Sequence, residues 1–136
     1  MARILALDYG KKRTGIAVTD PMQIIATPLQ TVETRELVGF LKTYFAAETV
    51  EKVLIGYPLN LNGTPTDATP LVEKFIGQFR KLFAHLPIDT VDERFSSKMA
   101  SASIQQMGLR KGQRAGKGLI DQTAACILLQ DHLSAR

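Results

Sequence analysis

The sequence predicts an α/β protein: a mixed β-sheet that opens with an antiparallel hairpin, continues with alternating α and β, and is flanked by helices. Three observations predict it. The apolar run Ile4 to Leu7 breaks at Asp8, passes a glycine-containing turn, and is answered by a second apolar run from Gly15 to Val18, the pattern of a hairpin. Downstream, short apolar runs alternate with stretches of helical spacing, as parallel strands joined by crossover helices do. The resulting order, β-β-β-α-β-α-β-α-α, sets Asp8 at the end of one strand and Asp92-Glu93 at the end of another. Sites in such sheets gather at carboxyl ends of strands.

Residues 3–8 and 14–19 are the two strands of the hairpin. Ile24-Ile25-Ala26 begins a third strand ahead of Pro28. From 34 to 47, Leu37, Phe40, Leu41, Tyr44 and Phe45 recur at helical spacing. Val53 to Gly56 is a short buried strand, and 57–66 is rich in turn residues. Thr69-Pro70 starts a helix with proline in its first turn, and Leu71, Phe75, Phe79, Leu82 and Leu86 give it one apolar face. Ile88 to Val91 is a strand. Ser96 or Ser97 caps a helix that stops at Gly108. Residues 109–118 are loop-like, and a last helix runs over 119–133.

At 136 residues the chain fits one domain, 1–136, large enough to bury a core. Its 45% apolar and 22% charged content is that of a globular protein and excludes a disordered one. The start is charged at Arg3 and its apolar run is too short for a leader, and no stretch is long enough to span a membrane. The lone Cys126 cannot form an intrachain disulfide and fits a small core position. These features point to a cytoplasmic protein. Charge is uneven: residues 1–93 hold 10 Lys and Arg against 11 Asp and Glu, a net of −1, and residues 94–136 hold 7 against 2, a net of +5. A basic end on a near-neutral body suits a polyanion such as nucleic acid, or simply a solvated face.

Three places set carboxylates beside apolar structure. Asp8 ends the first strand, where it either holds a metal, neighbours a phosphate, or merely shapes the turn. Asp92 and Glu93 are adjacent, so in a strand only one of them faces a site near Asp8. Asp121 shares a helix face with Ala125 and Leu128, with small residues that let the helix approach the sheet closely. A half-buried acid is costly unless paired, hydrogen-bonded or bound to metal. Carboxylates without clustered Cys or His suit hard cations such as Mg²⁺ or Mn²⁺, which in pairs activate water and stabilise the leaving oxygen in phosphodiester cleavage. Ordinary ion pairs, Asp121 with Lys117 or Arg114 and Glu93 with Arg94 or Lys98, are the competing explanation.

Arg110, Lys111, Arg114 and Lys117 lie within eight residues without an acid, among glycines, directly before the Asp121 helix. A mobile basic loop beside an acidic site is a phosphate clamp or a solubilising surface. Its GQRAGKG string is not a nucleotide-binding loop: the glycine spacing is one residue short, Gly118 stands where a hydroxyl belongs, and no strand directly precedes it. His85 and His132 are far apart and fit surface positions, and turn chemistry accounts for Asn60 to Gly63.

ALDYGKKRTGIAVTD, IGYPLNLNGT, DERFSS and GKGLIDQTAACILL together resemble the YqgF/RuvX family, in order and over nearly the whole chain. Phe95 stands where that family more often has Leu, a conservative departure. The resemblance implies an RNase H-like fold similar to the Holliday-junction resolvase RuvC, and a role in processing the 5′ end of pre-16S ribosomal RNA. The family's Asp, Glu and Asp fall on Asp8, Glu93 and Asp121, which would be both metal ligands and catalytic residues, and this choice prefers Glu93 to Asp92. The activity implied is a Mg²⁺- or Mn²⁺-dependent phosphodiesterase leaving a 5′ phosphate and a 3′ hydroxyl. Lys11, Arg13, Arg94, Arg110, Lys111, Arg114 and Lys117 would hold the nucleic-acid backbone. Branched DNA is the alternative substrate, and a non-catalytic RNA-binding ribosome-assembly factor the alternative function. Ribosomal particles are further partners; a resolvase would dimerise, whereas an RNA trimmer can stay monomeric. A D-x-G turn also meets ATP phosphates in actin-like kinases, but this chain has no room for their second domain.

Overall fold

The central strand β1, Arg3–Asp8, is buried on both sides, and the other elements are arranged around that fact. The computed structural model describes residues 2–60, 62–92 and 117–134. Strands β2 (Arg13–Thr19), β3 (Ala26–Glu33), β4 (Val50–Tyr57) and β5 (Ile88–Asp92) complete a five-stranded sheet of order β3-β2-β1-β4-β5. β1, β2 and β3 form an antiparallel meander, and β4 and β5 run parallel to β1. This is the mixed α/β sheet with a hairpin start that the sequence predicts.

Side chains alternate across the sheet, so each face has its own core. Leu5, Leu7, Ile16, Val18, Val53 and Ile55 face α1 (Leu37–Ala47) and α2 (Thr69–Leu82), packing with Leu37, Leu41, Val72, Phe75 and Phe79. Ile4, Ala6, Ala17 and Leu54 face α3 (Lys117–Ser134), against Ala125, Cys126, Leu128 and Leu129. The α3 face mixes Ala6, Ala17, Ala125 and Cys126 with its larger residues where the other face is lined by Leu, Ile, Val and Phe, and α3 lies close to β1, β2 and β3.

Several elements differ from the sequence reading. β3 runs from Ala26 through Pro28 to Glu33 rather than beginning at Ile24. It occupies a sheet edge among the described residues, where a proline without an N–H is tolerated. Residues 34–36 form a short 3₁₀ turn before α1. β4 is longer than expected at both ends, starting at Val50. α2 stops at Leu82, so Leu86 reaches the core from beyond the helix, and Leu82 is exposed. Its buried stripe is Thr69, Val72, Phe75, Ile76 and Phe79. α3 begins at Lys117, which therefore belongs to the helix and not to the preceding loop. The helix expected between Ser96 and Gly108 lies outside the described residues.

Candidate active site at the carboxyl edge of the sheet

β1 ends at Asp8, half-buried and paired across the hairpin with Gly15. Alternation puts Asp8 on the face of Ile4 and Ala6, the face covered by α3. The direction of α3 follows from contacts at its other half. The Cys126 thiol meets the Ala26 carbonyl at 3.4 Å, and Gln130, Leu133 and Ser134 border a shallow cleft of about 260 Å³ with Ile24, Ile25 and Ala26. Ala26 pairs with Thr19, and the Thr19 hydroxyl accepts the Ile4 N–H at 2.9 Å, so this is the amino end of β1. The first turns of α3 therefore run toward the Asp8 edge. Position 121 is one turn before Ala125 on the sheet-facing stripe, about 7.5 Å along the axis from Cys126 at 1.5 Å per residue.

Gly56 of β4 pairs with Val91 of β5, and Val91 packs with the α3-side core. Asp92, its neighbour, consequently belongs to the opposite face. Of the two adjacent acids, Asp92 is thus set away from the Asp8 side. Glu93, Arg94, Arg110, Lys111 and Arg114 lie outside the described residues, as do the side chains of Lys117 and Asp121. Among the described residues no three His, Cys, Asp or Glu side chains gather into a metal-binding group. What is described at the edge is one oxygen donor of the hard type that divalent cations prefer, Asp8, on the face that α3 covers.

The turn after Asp8 is tightly built. At Gly10 an added Cβ would meet the Arg13 carbonyl oxygen at 2.4 Å, so only glycine closes the loop this way. Lys11 and Lys12 are exposed and Arg13 is half-buried. Thr34, the first residue of the 3₁₀ turn after β3, ties the turn down: its hydroxyl donates to the Gly10 carbonyl at 2.5 Å and its N–H to the Lys12 carbonyl at 2.9 Å. The sequence reading leaves Thr34 unmarked.

Tyr9 and Tyr57 flank the edge on the other face. The Tyr9 ring packs on Phe75 at 4.8 Å, and burial raises its phenol above the ordinary range. The Tyr57 hydroxyl donates to the Glu73 carboxylate, and that bond is the main cause of its raised pKa. The β4–α2 connection is held by its own polar groups: Asn60 donates to Thr64 and Pro65, Asn62 accepts from Thr64, and Gly63 adopts φ 87°. Turn chemistry does account for the Asn60–Gly63 segment. His85 is exposed, as expected, and Cys126 is a buried thiol whose pKa burial raises.

No helix among the described residues is long and apolar enough to cross a membrane. The chain matches the family model "RuvX: Holliday junction resolvase" over residues 2–135. It is 51% identical over 136 residues to a protein of Flavobacterium psychrophilum, covering 100% of this chain and 99% of that one. It is 52% identical over 136 residues to one of Flavobacterium johnsoniae, with the same coverage. A Bacteroides thetaiotaomicron relative is 43% identical over 136 residues, again covering 100% and 99%. All three carry the name "Putative pre-16S rRNA nuclease". Among solved structures, YeaZ from Pseudomonas aeruginosa has a TM-score of 0.47 at 14% identity, over 79% of this chain and 50% of that one, a likeness too weak to inform the chemistry.

Proposed function

The chain belongs to the RuvX family, and on that premise we propose that it is a single-domain, divalent-metal-dependent nuclease that trims the 5′ end of pre-16S rRNA in the cytoplasm. The observation that carries this reading is Asp8: a half-buried carboxylate at the carboxyl edge of the central strand, on the α3 face, directly before a cationic turn. Asp8, Glu93 and Asp121 hold the metal in this reading. The placement of position 121 on the sheet-facing stripe of α3 supports it, as does the displacement of Asp92 to the opposite face. Bound Mg²⁺ or Mn²⁺ supplies charge stabilisation and an activated water. Lys11 and Arg13 hold the phosphate backbone, together with Arg94, Arg110, Lys111, Arg114 and Lys117. The buried apolar core around Ala6, Leu54, Ala125 and Leu128 backs the site on its inner side.

Cleavage of a 5′-extended pre-16S fragment in Mn²⁺, by wild type and Asp8→Asn side by side, tests the assignment. Asp8→Asn abolishes cleavage and leaves RNA affinity within about twofold, because cations do the holding. Equal cleavage by both proteins would overturn the role of Asp8. The family description favours one second reading, cleavage of branched DNA. A four-way junction in the same assay decides it: a junction cut faster than the RNA would replace the rRNA assignment.

A further inference from the structure

The turn that follows Asp8 is seated at its start by Tyr9, whose ring packs on Phe75. Beyond it Gly10 has no side chain, Lys11 and Lys12 are exposed, and a Cβ added at Gly10 would fall 2.4 Å from the Arg13 carbonyl oxygen. A further anchor comes from a residue far along the chain. Thr34 donates its hydroxyl to the Gly10 carbonyl and its N–H to the Lys12 carbonyl, gripping the turn on both sides of Lys11. The Thr34 hydroxyl has one proton and gives it to Gly10, so in the 3.0 Å contact between Thr14 and Thr34 it is Thr14 that donates. Thr14 is fully buried at the start of β2, and the chain Thr14 to Thr34 to Gly10 therefore runs from the core to the turn.

We infer that Thr34 is a positioning residue: it sets the Gly10–Arg13 turn so that Lys11 and Arg13 meet the substrate backbone beside Asp8. This rests on the reading of that turn as phosphate-binding. Thr34 touches no substrate in this account; it acts through the two cations. Valine at 34 keeps the shape and the N–H but loses both hydroxyl bonds, and serine keeps them.

The test uses wild type, Thr34→Val, Thr34→Ser, the Lys11→Ala/Arg13→Ala double variant and the Thr34→Val triple variant. Binding of the 5′-extended pre-16S fragment is titrated against salt in EDTA, and kcat and KM are measured in Mn²⁺. The double variant lowers the salt slope by about 1.4, at ~0.7 per phosphate contact on a single strand. Thr34→Val weakens binding about three- to tenfold, the worth of one hydrogen bond or slightly more, and raises KM with little change in kcat. Thr34→Ser restores both, and in the double-variant background Thr34→Val adds nothing further. Wild-type binding and slope in Thr34→Val, while the double variant loses both, would overturn the role of Thr34 alone. An undiminished Thr34→Val effect in the double-variant background would make Thr34 merely structural and also overturn it. A double variant with wild-type affinity and slope would instead overturn the phosphate-binding reading of the turn, and the inference with it.

Discussion

Replacing Gly10 by alanine adds one methyl group where the fold leaves no space for it. The new Cβ falls 2.4 Å from the Arg13 carbonyl oxygen and 3.7 Å from its carbon, and ordinary contact begins at 3.4 Å. Opening the turn from 2.4 to 3.4 Å displaces backbone, not a flexible side-chain tip. That backbone is held by Thr34, at 2.5 Å to the Gly10 carbonyl and 2.9 Å to the Lys12 carbonyl, so a movement of this size breaks one of the two bonds. Overpacking costs about 1–3 kcal/mol, and the broken bond about 1 kcal/mol. Alanine returns about 0.4–1 kcal/mol by restricting the unfolded chain. The steric cost wins, with a net loss of about 1–3 kcal/mol, which for a chain of this length lowers the thermal midpoint by about 4–12 °C. Gly77 on α2 is the control, since a Cβ there meets nothing within 4 Å; Gly77→Ala stabilises by up to about 1 kcal/mol, as expected for a helical glycine. Thermal unfolding followed by circular dichroism reads both. Cleavage measured well below both midpoints falls in Gly10→Ala and is unchanged in Gly77→Ala. A Gly10→Ala protein with an unchanged or higher midpoint and full cleavage would refute the tight turn.

Two further predictions concern the frame. Phe79 is 1% exposed and touches the rings of Phe45, Phe75 and Phe83, so Phe79→Ala leaves a cavity and costs about 3–5 kcal/mol, read as a lower urea midpoint at an unchanged slope. Asp20 accepts the backbone N–H groups of Ile25, Ile24 and Met22, and the Ile25 bond leads in lowering its pKa. A depressed carboxylate stabilises the fold above its ordinary value of 3.8 and stops doing so as pH falls through the lower folded value. Asp20→Ala is therefore less stable than wild type at neutral pH, and the two unfolding curves converge below pH ~4; a gap that persists into acid would show that the carboxylate charge is not the cause.

The hairpin, β4, α2 and the mixed character of the sheet were legible because each buried element carries its periodicity in the chain. The position of β3 was not, although a third strand was expected, because its residues 27–30 are exposed and Pro28 interrupts the pattern; an edge strand takes its position from β2, which no local signal reports. The end of α2 was overrun because Leu82 and Leu86 continue the helical spacing, although the chain has turned and only Leu86 is buried. The start of α3 was set too late because the glycines around Lys117 read as loop, whereas the helix begins at Lys117.

At the site, Asp8 was legible as the break in an apolar run, and the rest depends on which face each residue takes. Without the family resemblance Asp92 and Glu93 are interchangeable in the sequence; the packing of Val91 against the α3-side core puts Asp92, its strand neighbour, on the other face. Thr34 could not be read at all, since its partners are 20 and 24 residues away and nothing near it marks a tether. The asymmetry of the two faces gives these placements their consequence. Large side chains fill the side of α1 and α2, where the sheet is only a support. Ala6, Ala17 and Ala125 lie on the side of α3, and the proposed site needs a helix seated closely enough for a residue with as short a reach as aspartate to serve the sheet edge. A wide core on that face would leave an acid at position 121 too far from Asp8 to share one cation, so the alanines are as much a condition of the proposed site as the carboxylates are.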